Sequence, residues 1–181
     1  MKKILVVIDA QQDFVTGSLR NEDAIKVIPN LVKKIREFDG DAIFYTLDTH
    51  DENYLSTKEG QKLPVVHCVN GTDGWKLDPN VEEAINSRRK NEYVRGIEKP
   101  TFGSFSLAPA ISSILDPGEN FDIEIVGFCT DICVVTNALI LKAYYFNRTN
   151  ISVIENCCAG VTPETHFAAC KTMQMCQIDV I

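Results

Sequence analysis

The sequence predicts an α/β fold, a three-layer sandwich with a six-stranded, mostly parallel sheet and helices on both faces. Three observations carry that prediction. Short, unbroken apolar runs recur along the whole 181-residue chain. Segments with apolar residues near helical spacing alternate with them. Each apolar run ends in polar or charged residues, as a strand buried on both faces does where it leaves its sheet. Right-handed crossovers are the easy connection between parallel neighbours, so helices are expected on both faces. No repeat, low-complexity tract or linker interrupts the pattern, and residues 1–181 are expected to form one domain.

Residues 3–10, KILVVIDA, are continuously apolar until a carboxylate and make the first strand. Residues 24–38 follow with helical spacing, and Pro29 is expected in the first turn, where a missing N–H costs nothing. Residues 41–50, DAIFYTLDTH, form the second strand, 79–88 a short helix and 91–96 the third strand. The stretch 104–115 is helical in part, its start blurred by Pro109. FDIEIVGF at 121–128 is the fourth strand and 131–146 the longest helix. A fifth strand at 151–156, a last helix at 163–176 and a terminal strand, QIDVI, complete the pattern.

Composition narrows the function. Asp and Glu outnumber Lys and Arg by 25 to 18, leaving a net charge of -7 that disfavours a nucleic-acid backbone as partner. The one dense basic cluster, Arg88-Arg89-Lys90, reads as a solvated helix end. Only a few apolar residues precede Asp9, so neither a signal-peptide core nor a membrane span is expected, and a cytoplasmic location is. The seven cysteines are an odd number without a CxxC pair; free thiols are expected rather than disulfides or a structural zinc site. Cys157 and Cys158 are expected to pack as small apolar residues.

In open parallel sheets ligands bind outside the carboxyl ends of the strands. Asp9 and Asp13 follow the first strand, Asp48 and His50 the second, Lys99 the third, and Cys129 to Cys133 the fourth. Cys133 is expected in the first turn of the long helix, where free N–H groups and the dipole favour thiolate, with Asp131 in the cap. A carboxylate able to take the thiol proton, with a lysine to balance the charge, supplies the groups that acyl transfer needs. Peptide N–H groups of the turn before Cys133 offer an oxyanion hole. Separately, Asp48, His50 and His67 form an oxygen and nitrogen ligand set suited to a divalent metal, zinc first, with iron and manganese as alternatives. Glu59 is a candidate fourth ligand, and His166 is expected to be structural.

VIDAQQDFVTGSL, DTH, PVVHCVNGTDGWKL, the lysine before PTFGSF, and GFCTDICVVTNAL, in this order and spacing, resemble the isochorismatase-like cysteine hydrolases. Within that family the chain is similar to the nicotinamide-cleaving branch. The resemblance spans nearly the whole length. It implies a Rossmann-like sandwich, a catalytic triad of Asp9, Lys99 and Cys133, and a cis peptide before Cys129. It also implies that the backbone N–H groups of Cys129 and Cys133 form the oxyanion hole. Phe14 is implied as a ring-stacking wall. Where some members carry a third histidine between His50 and His67, this chain offers Glu59. The expected partner is a small amide, hydrolysed through a cysteine thioester; a homo-oligomer is compatible with the sequence. Two other readings stand beside it: a related amidase for a carbamoyl or ureido compound, and a thiol protein that senses oxidants.

Overall fold

Along strand β1 (Lys2–Ile8) every side chain from Ile4 onward is fully buried. Ile4, Val6 and Ile8 enter one apolar cluster, Leu5 and Val7 another. Alternation within a single unbroken apolar run therefore builds two cores, one on each face of the sheet. Each such Ile, Leu or Val is worth about 1.5–3 kcal/mol of burial. The computed structural model describes residues 1–90 and 92–181.

The chain continues through α1 (Gln12–Val15), α2 (Glu22–Glu37), β2 (Ala42–Asp48), α3 (Lys58–Lys62) and α4 (Pro79–Arg88). It then runs through β3 (Tyr93–Lys99), α5 (Leu107–Ser112), β4 (Phe121–Phe128), α6 (Val135–Tyr145), β5 (Thr149–Ala159), α7 (Pro163–Met175) and β6 (Asp179–Val180). The sheet order is β3-β2-β1-β4-β5-β6, and every pair is parallel. Helices α1, α2 and α4 cover the face of Leu5 and Val7, while α5, α6 and α7 cover the other. The predicted sandwich is thus the observed one.

Strand order reverses between β1 and β4, and their carboxyl ends open a crevice there. Gly127, at φ 117°, makes the close approach possible: a Cβ at this position would lie 2.0 Å from the Ile8 carbonyl oxygen. No helix among the described residues is long and apolar enough to cross a membrane.

Several element boundaries differ from expectation for identifiable reasons. Helix α2 starts at Glu22 because the Asn21 side chain accepts from the N–H groups of Asp23 and Ala24. Pro29 consequently sits inside the helix instead of in its first turn. It is exposed, so the carbonyl it leaves unpaired can be hydrated. The third strand runs to Lys99, which is its last residue and not a residue beyond it; Asn91, where it was expected to begin, lies outside the described residues. The start of the predicted helix 131–146 is instead a π-turn at Thr130–Val134, and α6 begins only at Val135. Strand β5 is longer than expected at both ends.

Candidate functional site

Parallel register places Asp48, the last residue of β2, beside Lys99, the last of β3. Asp9 follows β1 directly and adopts a left-handed φ of 44°, a conformation that costs a non-glycine residue about 1–3 kcal/mol and needs enforcing. Thr46 supplies part of that enforcement: its hydroxyl donates to Asp9 Oδ1 at 2.6 Å and accepts from the Asp9 N–H at 3.2 Å. The other oxygen, Oδ2, lies 2.6 Å from Lys99 Nζ. Lys99 Nζ also lies 3.3 Å from Asp48 Oδ1, donates to the Thr101 carbonyl at 2.9 Å, and approaches Cys133 Sγ at 3.6 Å. Asp9, Lys99 and Cys133 are all buried. Residues separated by up to 124 positions therefore meet around one sulfur.

Burial, reinforced by the neighbouring Asp9 carboxylate, holds the Cys133 thiol well above its usual pKa. This corrects the expectation of a helix-stabilised thiolate: Cys133 lies in the π-turn ahead of α6, in a site too dry for the dipole to prevail. Burial also raises Asp9 against the opposing pull of Lys99. For Lys99 burial works against the charge, yet Asp9, Cys133 and Asp48 outweigh it and hold the ammonium above its ordinary value. The Cys133 thiol thus sits beside the Asp9–Lys99 pair.

The π-turn presents this thiol. The peptide between Phe128 and Cys129 is cis, as the family resemblance implied. The Cys129 carbonyl accepts from Ile132 N–H at 3.2 Å and Val134 N–H at 3.0 Å, passing over the N–H of Cys133. The Cys129 thiol is itself buried, which pushes its pKa up to about 12. Asp131 does not cap the helix. Its carboxylate instead accepts from the Val161 N–H at 3.1 and 3.0 Å and from the Thr165 hydroxyl, tying the turn to the start of α7.

Beside Lys99 lies the second group. Asp48, His50, Glu59 and His67 each bring one ligand atom to within 4.8 Å of the others. Asp48 Oδ2 is 2.9 Å from His50 Nε2 and 3.5 Å from His67 Nε2, while Glu59 Oε1 is 3.7 Å from His50 Nε2. The neighbouring imidazoles of His50 and His67, with the Lys99 ammonium, overcome the effect of burial and hold Asp48 well below the usual carboxylate range. The Val65 carbonyl lies 2.8 Å from His67 Nδ1; a carbonyl only accepts, so Nδ1 carries the proton and Nε2 faces the cluster. His50 Nε2 is buried and, despite its nearness to Asp48, makes no aligned hydrogen bond. An orphaned imidazole nitrogen facing two carboxylates and a second imidazole fits a divalent cation. Charge agrees: Asp9 and Asp48 share the Lys99 ammonium, and Glu59 adds a third carboxylate beside His50. Glu59 reaches the cluster because α3, which carries it, begins at a Thr57 cap; Tyr54, wedged against both imidazoles at 4.6 and 4.8 Å, sets their separation.

Cys133 of the first group and Asp48, Glu59 and His67 of the second line a cleft of about 750 Å³. Phe14 is on its wall and meets the edge of His67 at 5.8 Å. Leu19, Phe102 and Ile132 supply apolar walls that sequence reasoning did not identify. It also missed three buried organisers. Gln11 donates to the Asp48 carbonyl at 2.9 Å and accepts from the Asp48 N–H at 2.8 Å. Asn137 donates to the carbonyls of Cys133 and Phe102 at 2.8 and 3.0 Å and accepts from Ser104 N–H at 2.9 Å, joining the Lys99 loop to the Cys133 turn. Thr46 is the third. Their neighbours in sequence gave a signal only for Gln11, inside VIDAQQDF. Asp13, singled out as a strand-end carboxylate, faces the backbone instead and accepts from Cys68 N–H at 2.8 Å. His166 lies apart, against Thr130 at 2.9 Å.

Residues 3–181 match the sequence model of the isochorismatase domain family. This chain is an isochorismatase-family protein. A nicotinamidase of Schizosaccharomyces pombe (strain 972 / ATCC 24843) is 24% identical over 206 residues, which span 98% of this family member and 91% of the yeast protein. An isochorismatase family protein, PncA, of Bacillus subtilis (strain 168) is 28% identical over 144 residues, 77% of this chain and 78% of its own. The crystal structure of nicotinamidase PncA from Bacillus subtilis superposes with a TM-score of 0.83 at 25% identity, covering 99% of both chains.

Proposed function

We propose that this isochorismatase-family protein is a cysteine amidohydrolase that converts nicotinamide to nicotinate and ammonia. The observation that carries the reading is the meeting of Asp9 and Lys99 beside Cys133, which lines the cleft. Asp9 takes the Cys133 proton as the sulfur attacks the carboxamide carbon, and Lys99 balances the negative charge that remains. The N–H groups of Cys129 and Cys133 receive the oxyanion. The C–N bond breaks as Asp9 returns the proton to nitrogen, releasing ammonia and leaving a thioester. Water then gives a proton to Asp9 and adds to the acyl carbon. The C–S bond breaks, the acid leaves and the thiol is restored.

Asp48, His50, His67 and Glu59 would hold a divalent metal, zinc before iron or manganese; when bound it supplies a Lewis-acidic anchor for the ring nitrogen, orienting the carboxamide toward Cys133. Phe14, Leu19, Phe102 and Ile132 suit the flat apolar faces of a pyridine ring. A ureido or carbamoyl acid would call for a wall richer in arginine than in aromatic groups, whereas this one carries Arg20 beside Phe14 and Phe102. Oxidant sensing is disfavoured because Cys176 is the exposed cysteine and the other six are buried.

Ammonia release from a small panel of amides, nicotinamide, pyrazinamide, a linear carboxamide and a ureido acid, tests the substrate. Turnover of the aromatic amides at least about tenfold above the others is expected, since a matched apolar pocket is worth about 1–3 kcal/mol. Preference for the ureido acid would refute the assignment.

Metal affinity is expected to rise with pH. Burial lowers the His67 pKa, but Asp48 and the Val65 carbonyl more than reverse this and raise it above 6.5. A ligating imidazole must lose its second proton, so affinity increases as pH climbs through the raised value. By the same shift, the metal-free protein has a stabilising contribution from protonated His67 that is complete below pH 6.5 and lost above the folded-state value. Zinc titrations of apo-protein on either side of that range check the direction; pH-independent affinity would count against His67 as a ligand.

A further inference from the structure

Away from the cleft, β5 and α7 bring Glu155, His166 and Cys170 together, and we infer that these three side chains form a second divalent-cation site, suited to a borderline-soft ion such as zinc. Each offers one ligand atom, and the three atoms lie within 4.8 Å of one another. His166 Nε2 is 3.5 Å from Glu155 Oε1 and 3.8 Å from Cys170 Sγ. A tetrahedral zinc with bonds of about 2.0–2.3 Å holds its ligands about 3.3–3.8 Å apart. Both separations already have the length of an edge of that tetrahedron.

The three residues are also held as ligands need to be. His166 and Cys170 are one helical turn apart and share a face of α7. The backbone N–H of Glu155 donates to the Ile181 carbonyl at 2.8 Å, fixing the strand that carries the carboxylate. His166 Nδ1 lies 2.9 Å from the Thr130 hydroxyl. With Nε2 on a cation, Nδ1–H donates to that hydroxyl, the outer hydrogen bond that orients a ligating imidazole. Cys170 is buried and is a free thiol. Binding therefore exchanges one proton for the metal: the S–H bond breaks, an S–Zn bond forms, and the proton passes to solvent. Glu155 is half-exposed, which leaves a path from solvent and room for water as a fourth ligand.

None of these residues belongs to the Asp48 cluster, so the inference does not depend on the amide chemistry. Its reach is toward the reactive turn, because Thr130 opens the π-turn that presents Cys133. A cation here braces α7 against that turn from behind.

Cobalt(II) titration of the full chain reads this site separately. Thiolate ligation gives a near-ultraviolet charge-transfer band, and the Asp48 cluster contains no cysteine. The unmodified protein is expected to show the band, His67→Ala to keep it, and Cys170→Ala to lose it. Because Cys170 is buried, His166→Gln provides a second variant that disturbs packing less, and it too is expected to lose the band. Absence of the band from the unmodified protein, or its survival undiminished in either Cys170→Ala or His166→Gln, overturns the site.

Discussion

Replacing Cys133 by alanine is expected to lower amide hydrolysis by at least about four orders of magnitude while leaving the protein folded. Among the described residues the other cysteine on the cleft wall is Cys129, and the Lys99 ammonium approaches the sulfur of Cys133 instead. The fold should survive because the thiol contributes little that is not supplied elsewhere. Lys99 keeps Asp9 at 2.6 Å, Asp48 at 3.3 Å and the Thr101 carbonyl at 2.9 Å after the sulfur is gone. Loss of one small buried group costs about 1 kcal/mol. Activity and thermal unfolding measured on the same preparation separate the two effects. An alanine variant that hydrolyses amides within tenfold of the unmodified rate would rule out the thioester route. In the unmodified protein, acid quenching during turnover followed by peptide mass spectrometry should find the acyl group on Cys133 and on no other cysteine.

The second large effect is expected at Lys99, and it falls on stability as well as rate. Lys99→Met removes the cation from between two buried carboxylates, Asp9 and Asp48, which are then left to repel each other. Breaking a buried ion pair by deleting one partner costs about 3–5 kcal/mol. The pH dependence has a defined sign. The Asp9 pKa is already raised above 3.8 by burial with Lys99 opposing, and without the opposition it rises further. A carboxyl whose folded-state pKa is raised contributes stability below its unfolded value and loses it as pH increases through the folded value. The deficit of the variant relative to the unmodified protein should therefore be small in mild acid and widen toward neutrality. Urea denaturation of both proteins across that range measures it. A deficit that is constant with pH would mean that Lys99 acts through packing alone.

How far the sequence could lead depended on the kind of signal. Strand and helix order was legible because apolar spacing is local, and FDIEIVGF ends at Phe128 as its pattern predicts. The sheet edge that collects Asp9, Asp48, Lys99 and Cys133 followed from the parallel topology. Other features depend on partners far along the chain. Pro29 lies deep in α2 because Asn21, a residue outside the apolar pattern, starts the helix earlier. The π-turn is invisible to a 3.6-residue period, so Asp131 was expected to serve the helix and serves Val161 instead. Thr46 and Asn137 read as unremarkable polar residues within a strand and a helix. They acquire meaning only when Asp9, 37 positions away from Thr46, and Ser104, 33 from Asn137, fold against them.

The divided carboxylate of Asp48 has a further consequence. One oxygen belongs to the imidazoles and the other to the ammonium of Lys99, so a single carboxylate serves both the histidine cluster and the lysine. Whatever draws negative charge toward the histidine side loosens its grip on the lysine and leaves that lysine more fully to Asp9. In the proposed mechanism substrate placement and proton transfer are thus electrically in series, and a change at His50 or His67 should register in the pH profile of turnover as well as in affinity.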